Sequence, residues 1–305
     1  MMSAALAWSA LESTGLKARN LETLAKACAL QTTRQQLISL HWIITQAANA
    51  KIDHFRRRMA EFEGKVRTHE RAVGRFEGNE ASWAEMALRR QRDSLKGARV
   101  NLIHAESQRA AAEAEISAGF GALERHVSVT GSGHIVSLNA WLDVLLPQRQ
   151  SDSSTLIAAR KAVLGLGKHS GGIAEDLLGM WIGRLAVPTR YADWLQEQQH
   201  IYHGILEWLY VTRNQVFHRG KFSNPADVLT AHAARGIVDL VLEFLGNWRA
   251  VENSGNVSGS EIVQIYKLLA DRKDDLDRRL RSAASCHPLD VAQISAPNGD
   301  WWNRA

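Results

Sequence analysis

A chain of 305 residues, 45% of them hydrophobic, is long enough for one large domain or two modest ones with cores of their own. No apolar run approaches the length needed to cross a membrane, and Met1 to Asn20 carries no basic leader and no clear cleavage site; two cysteines far apart, Cys28 and Cys286, fit a reducing compartment, so a cytoplasmic protein is expected. A net charge of +5 and a pI near 9.4 fit an anionic partner, and only five prolines amid abundant Ala, Leu, Arg, Glu and Gln predict an all-α fold.

Residues 1–126 are expected to form an amino-terminal helical region, with a coiled-coil hairpin over about 40–120. Ile52, Phe55, Met59, Phe62, Val66, His69, Val73 and Phe76 are spaced alternately by three and four. Leu88, Gln91, Leu95, Ala98, Leu102, Ala105, Arg109, Ala112 and Ile116 repeat the pattern less cleanly. Between them lies Glu77-Gly78-Asn79-Glu80-Ala81, and Ser82-x-x-Glu85 reads as a capping box opening the second helix. Two such helices joined by a short turn make an antiparallel hairpin of about 55 Å, which the charged outer faces favour as a projecting arm. Residues 51–109 hold fourteen Lys/Arg against nine Asp/Glu. The run Arg56-Arg57-Arg58 is therefore either a solvated helix face or a track for a nucleic-acid backbone.

Residues 127–154 read as a linker: Thr130-Gly131-Ser132-Gly133, a short apolar piece around Trp141 to Leu146, then a Gln- and Ser-rich stretch after Pro147. A helical bundle is expected over 155–250. Its first helix spans about Thr155 to Lys168 and ends in Gly171-Gly172, and its second runs from Ile173 to Leu185. Pro188-Thr189 starts a long third helix, and Asn224-Pro225 opens a fourth that reaches about Trp248. Residues 251–305 then hold a capping box at Ser258-x-x-Glu261, a fifth helix to about Ser282, and a tail from His287.

The chemistry-bearing stretch is Arg213-Asn214-Gln215-Val216-Phe217-His218, followed by Arg219-Gly220, at the end of the long third helix. Arginine holds a phosphate in a planar fork, histidine moves protons near neutral pH, and asparagine orients either group. At about 100° per residue, Asn214 and His218 share a face and Arg213 sits at its edge. Extended backwards, that face takes in Tyr210, Glu207 and His203. Ile201, Ile205, Trp208, Leu209, Thr212 and Val216 are expected on the core side, which leaves the polar stripe facing outward, to solvent or a second subunit.

Arg213-Asn214-x-x-x-His218 at a helix end, followed by a short loop and another amphipathic helix, resembles the HEPN superfamily over roughly residues 150–250. The family has helical bundles with an Arg-x4-6-His motif, and many members are metal-independent ribonucleases. The resemblance implies a homodimer that brings two motifs together in one cleft. It implies cleavage of RNA by the ribose 2′-hydroxyl, with His218 as general acid/base, Arg213 stabilising charge on phosphorus and Asn214 orienting either the histidine or the phosphate. His203, Glu207 and Tyr210 would support the site, and Arg219 and Lys221, with Arg56, Arg57 and Arg58, would bind nucleic acid. No cofactor or metal is implied. A role in toxin–antitoxin or antiviral defence, with an antitoxin or other protein partner, follows from the resemblance alone.

Other constellations carry less. His200, His203 and Glu207 have metal-ligand spacing on a helix but no fourth ligand. Gly165-Leu166-Gly167-Lys168-His169-Ser170 lacks the strand and the residues of a phosphate loop and fits a helix terminus. The ten tryptophans fit core and contact positions. For Arg213 and His218 the structural alternative is a helix-end cap, with the arginine paired to Glu207 or Asp193. In that case the chain is a non-catalytic helical interaction module whose coiled-coil arm binds a protein or nucleic-acid partner.

Overall fold

A computed structural model describes residues 2–77, 82–127, 137–219, 226–252, 262–283, 287 and 289. Helices are the only regular structure among them: α1 (Met2–Ser13), α2 (Leu21–Phe76), α3 (Ser82–Val127), α4 (Leu138–Leu145), α5 (Ser154–Ser170), α6 (Gly172–Leu185), α7 (Pro188–Arg219), α8 (Ala226–Glu252) and α9 (Ile262–Ser282). The all-α class read from composition is the class observed. No helix among the described residues is long and apolar enough to cross a membrane. The capping box at Ser258 and the Asn224-Pro225 cap lie outside the described residues.

The described residues group into two compact units that do not follow chain order. One comprises Met1–His41, Val127–Asp152 and Gly179–Ala305; the other comprises Trp42–His126 and Ser153–Leu178. The stretch read from sequence as one bundle, 155–250, is thus distributed over both.

The second unit contains the hairpin. The two helices of the pair, α2 and α3, run antiparallel: Arg56 bonds Glu113 at 3.2 Å, Glu70 meets Arg99 at 2.8 Å, and Glu77 meets Arg92 at 3.2 Å. Every position of both heptad series is buried or half-buried, with Val66, Val73, Ala98, Ala105 and Ile116 fully inside. His69 and Gln91 occupy core-facing positions and satisfy each other, Nδ1 to Oε1 at 2.9 Å. Phe76 and Trp83 close the turn end edge to face, their ring centroids 6.1 Å apart. Helix α2 begins at Leu21, well before the expected hairpin, because Leu21 to Lys51 contains neither Gly nor Pro to stop it. Ser153 caps α5 by accepting from Leu156 N–H, and Gly171, with φ of 64°, ends it. His169 of α5 bonds Glu115 of α3 at 2.8 Å, and Leu166 seats against Gly119, where a Cβ would stand 3.1 Å from it.

In the first unit, α1 packs on α7 and α8, and α7 packs on α8 and α9. Residues 127–154 are not a bare linker. Helix α4, capped by Ser137, buries Leu138, Trp141, Leu142, Val144 and Leu145, and the Trp141 indole donates to the Leu37 carbonyl at 2.9 Å. An aromatic cluster joins α6 and α7: Trp194 stacks on Tyr191 and meets Trp181 edge-on, with the Arg184 guanidinium over both indoles at 4.7 and 4.4 Å.

The amino-terminal part of α2 carries a polar run, Gln31-Thr32-Thr33-Arg34, that is wholly buried. Each charged or hydroxyl group has a partner. Thr32 bonds the Tyr202 hydroxyl, Thr33 bonds the Tyr191 hydroxyl at 2.7 Å, and Arg34 donates to Glu243 at 2.8 Å. Gln35 donates to the other Glu243 oxygen. These bonds tie α2 to α7 and α8.

Candidate functional site at the end of helix α7

Helix α7 has to satisfy three neighbouring helices, so its buried surface is wider than one stripe. Leu206, Leu209 and Thr212 are buried, as two of the expected core positions require. The rest of the expected core face is rotated. Ile201 is 46% exposed and Trp208 55%, whereas Tyr210 and Arg213, expected outward or at the edge, are half-buried. The reason is α1, which lies against this side of α7. Trp8 of α1 is fully buried, with its ring centroid 5.3 Å from that of Tyr210.

Arg213 is held at both ends of its guanidinium. Nη1 donates to the Asn214 Oδ1 at 3.0 Å, and Nη2 lies 3.5 Å from Glu12 Oε1 on α1. The sequence pointed to Glu207 or Asp193 as ion-pair partners. Instead Asp193 takes Arg281 at 3.0 Å, and Glu207 faces His203 at 3.8 Å. The structure therefore brings Arg213 and Asn214 together and places Tyr210 one turn before them, while His203 and Glu207 form a separate, solvent-facing pair. His218 and Arg219 belong to the last turn of α7, but their side chains lie outside the described residues, as does Lys221 altogether.

Beside the motif a cleft of about 530 Å³ is lined by Ala18, Leu21, Glu207, Trp208, Tyr210 and Val211. Its walls are apolar apart from Glu207 and the Tyr210 hydroxyl. Among the described residues no three His, Cys, Asp or Glu side chains gather as metal ligands. His200 bonds Gln196 along its own helix at 3.2 Å.

The basic run lies in the other unit, and its three arginines differ. Arg56 is engaged with Asp53 and Glu113, so it is not a bare cation. Arg57 reaches the Asp53 carbonyl at 3.4 Å, and Arg58 lies 5.7 Å from the Phe62 ring; both side chains remain exposed.

Sequence reading missed Glu12 and Trp8. Their i, i+4 spacing put both on one face of α1, but nothing local named α7 as the surface that face covers. No protein-family model, curated protein or solved structure matches the chain.

Proposed function

We propose that this chain is a metal-independent endoribonuclease of the HEPN kind, acting as a homodimer. The observation that carries the reading is the Arg213–Asn214 pair, whose 3.0 Å hydrogen bond fixes a guanidinium one turn before His218 at the end of a long helix. In the reaction the ribose 2′-hydroxyl attacks the adjacent phosphorus. The new O2′–P bond forms as the P–O5′ bond breaks, giving a 2′,3′-cyclic phosphate and a 5′-hydroxyl. His218 takes the 2′ proton or returns one to O5′, and Arg213 neutralises the crowded phosphoryl oxygens. A histidine on each of two copies would divide the acid and base roles. The exposed Trp208 and Val211, bordering the apolar cleft next to the motif, suit burial against a second copy. Arg219 and Lys221 would hold the RNA backbone beside the motif, and the exposed Arg57 and Arg58 of the other unit would bind nucleic acid on their own account. An antitoxin or another protein partner, and a place in toxin–antitoxin or antiviral defence, belong to the same proposal.

A second reading, a non-catalytic helical interaction module, draws on a different observation. The Arg213–Glu12 ion pair and the Trp8–Tyr210 contact use the motif region to dock α1. Incubation of the purified full chain with RNA in EDTA, beside His218→Ala, separates the two. Cleavage by the wild type, lost in the variant and blocked by deoxyribose at the cut site, supports the nuclease. Intact RNA with the wild type leaves the interaction module.

A further inference from the structure

Helix α3 carries a second stripe on its back, away from α2. Lys96, Val100, Ile103, Ser107, Ala110 and Ala114 each stand two residues before a position of the inward series, about 200° around the helix from it. All of them are exposed. Val100 is 58% exposed and Ile103 65%, and from Val100 to Ala114 the stripe holds no charge. A helix face meant for water is charged, as this one is at Asp93 and Lys96 nearer the turn. Spacings of four and three alternate along the stripe, so it is a coiled-coil seam like the one that α2 fills, and no described residue covers it.

The charges beside the stripe select its occupant. Arg99 and Glu106 flank it on one side, one heptad apart. Arg99 is 57% exposed and gives one nitrogen to Glu70, while Glu106 is exposed and has no ion pair among the described residues. An antiparallel second α3, with the two-fold axis between Val100 and Ile103, sets Val100 of each copy against Ile103 of the other. The same register sets Arg99 of each copy against Glu106 of the other, so the ion pair is made twice. Ser107 and Ala110 then lie opposite Lys96 and Asp93, and their small side chains let the backbones approach while the longer stems lie across them. A parallel pair would instead set Arg99 against His104 and Glu106 against Ala111, and neither is an opposite charge.

We propose that the outer face of α3 is a self-association surface. Two copies of the hairpin pair antiparallel through Val100 and Ile103, held in register by two Arg99–Glu106 ion pairs. The surface lies in the other unit from Arg213 and Trp208, so it stands or falls independently of the nuclease reading and of the contact proposed there. A chain using both surfaces builds tetramers or longer assemblies, and one using this surface alone builds dimers.

Sedimentation equilibrium of the full chain carrying Trp208→Glu reads this surface by itself, and concentration-dependent dimers are expected. Adding Ile103→Glu, Glu106→Arg or Arg99→Glu should weaken them about tenfold or more, with helical circular dichroism unchanged. The first buries a carboxylate in the apolar centre, and the other two oppose like charges at both symmetric sites. Mixed in equal amounts, the Arg99→Glu and Glu106→Arg chains should associate nearly as tightly as their parent, because each meets its opposite charge twice. Glu106 has no ion-pair partner of its own, so Ile103→Glu and Glu106→Arg keep the test valid should Arg99→Glu disturb the hairpin through Glu70. Chains that stay monomeric at all concentrations, or dimers indifferent to Ile103→Glu and Glu106→Arg, overturn the surface. A mixture of folded chains no tighter than either variant alone overturns the antiparallel register, and the proposal with it.

Discussion

The Arg213 guanidinium stands 3.5 Å from the Glu12 carboxylate, which makes the arginine of the candidate motif also a tether for α1. Arg213→Ala should therefore affect two properties. Stability should fall by about 1 kcal/mol, the usual worth of a partly exposed charged pair with its hydrogen bonds. Ribonuclease activity should disappear. Glu12→Gln separates the effects: it should lose a similar amount of stability and retain cleavage. Equal loss of cleavage in Glu12→Gln would show that Arg213 acts only through the docking of α1. Urea denaturation beside an RNA-cleavage assay checks both.

Trp208 offers a test of assembly. Its indole is 55% exposed and borders the apolar cleft, so replacing it costs the single chain little packing. Trp208→Glu should weaken self-association at least about tenfold, because dimer formation would bury the new carboxylate. Helical circular dichroism should stay unchanged. Sedimentation of the variant indistinguishable from that of the wild type would remove this surface from the dimer.

The buried pair Arg34–Glu243 predicts a large and asymmetric response. Arg34 is 2% exposed and donates to Glu243 at 2.8 Å. Arg34→Ala strands the carboxylate and opens a cavity, and should cost about 3–5 kcal/mol. Arg34→Met combined with Glu243→Leu removes both charges while keeping volume, and should recover most of that loss. A double variant as unstable as Arg34→Ala would mean that the pair itself, and not the stranded charge, dominates.

Acid should destabilise the fold through two histidines. His41 packs edge-on to Trp141 at 5.0 Å, and burial lowers its pKa to about 4; His287 is lowered to about 4 as well. Both rings are neutral in the folded protein, and unfolding returns them to the ordinary value of 6.5. The unfolded chain therefore binds more protons below that value. Their contribution to stability is whole above pH 6.5 and is lost as pH falls from there to about 4. Thermal melts across that window should show a falling Tm, and His41→Gln should flatten the decline. An unchanged slope in His41→Gln would assign the acid sensitivity elsewhere.

How legible all this was in the sequence depended on range. The hairpin was readable because the 3,4 spacing is local, and each heptad position between Ile52 and Phe76 and between Leu88 and Ile116 is buried or half-buried. The faces of α7 were not, because periodicity reveals one stripe while α7 packs against three helices. Trp208 reads as core and is exposed; Tyr210 reads as surface and is covered by Trp8. The burial of Gln31-Thr32-Thr33-Arg34 drew no notice from sequence, because it depends on Tyr191, Tyr202 and Glu243, more than 150 residues away. Of the candidate site, the hydrogen bond from Arg213 to Asn214 was not legible either, since Asn214 reads as orienting His218 or a phosphate and Arg213 as pairing with Glu207 or Asp193. Nor was Glu12, since nothing in an isolated helix names its distant partner.

The way the first unit is stitched has a consequence for the order of assembly. The Tyr266 hydroxyl donates to Thr14 across 252 residues, and Lys26 bonds Asp274 across 248. The hairpin contacts span at most 57 residues among the Arg56–Glu113, His69–Gln91 and Glu70–Arg99 bonds. Closing loops that long is slow, and a chain emerging from the ribosome cannot close them before α9 has been made. The hairpin therefore forms early, while α1 and the polar run of α2 wait without their partners. Newly made chains pass through a state in which Trp8, Leu24 and the Thr32–Arg34 segment are open to water, and this interval is where a chaperone or a stabilising binding partner has most to act on.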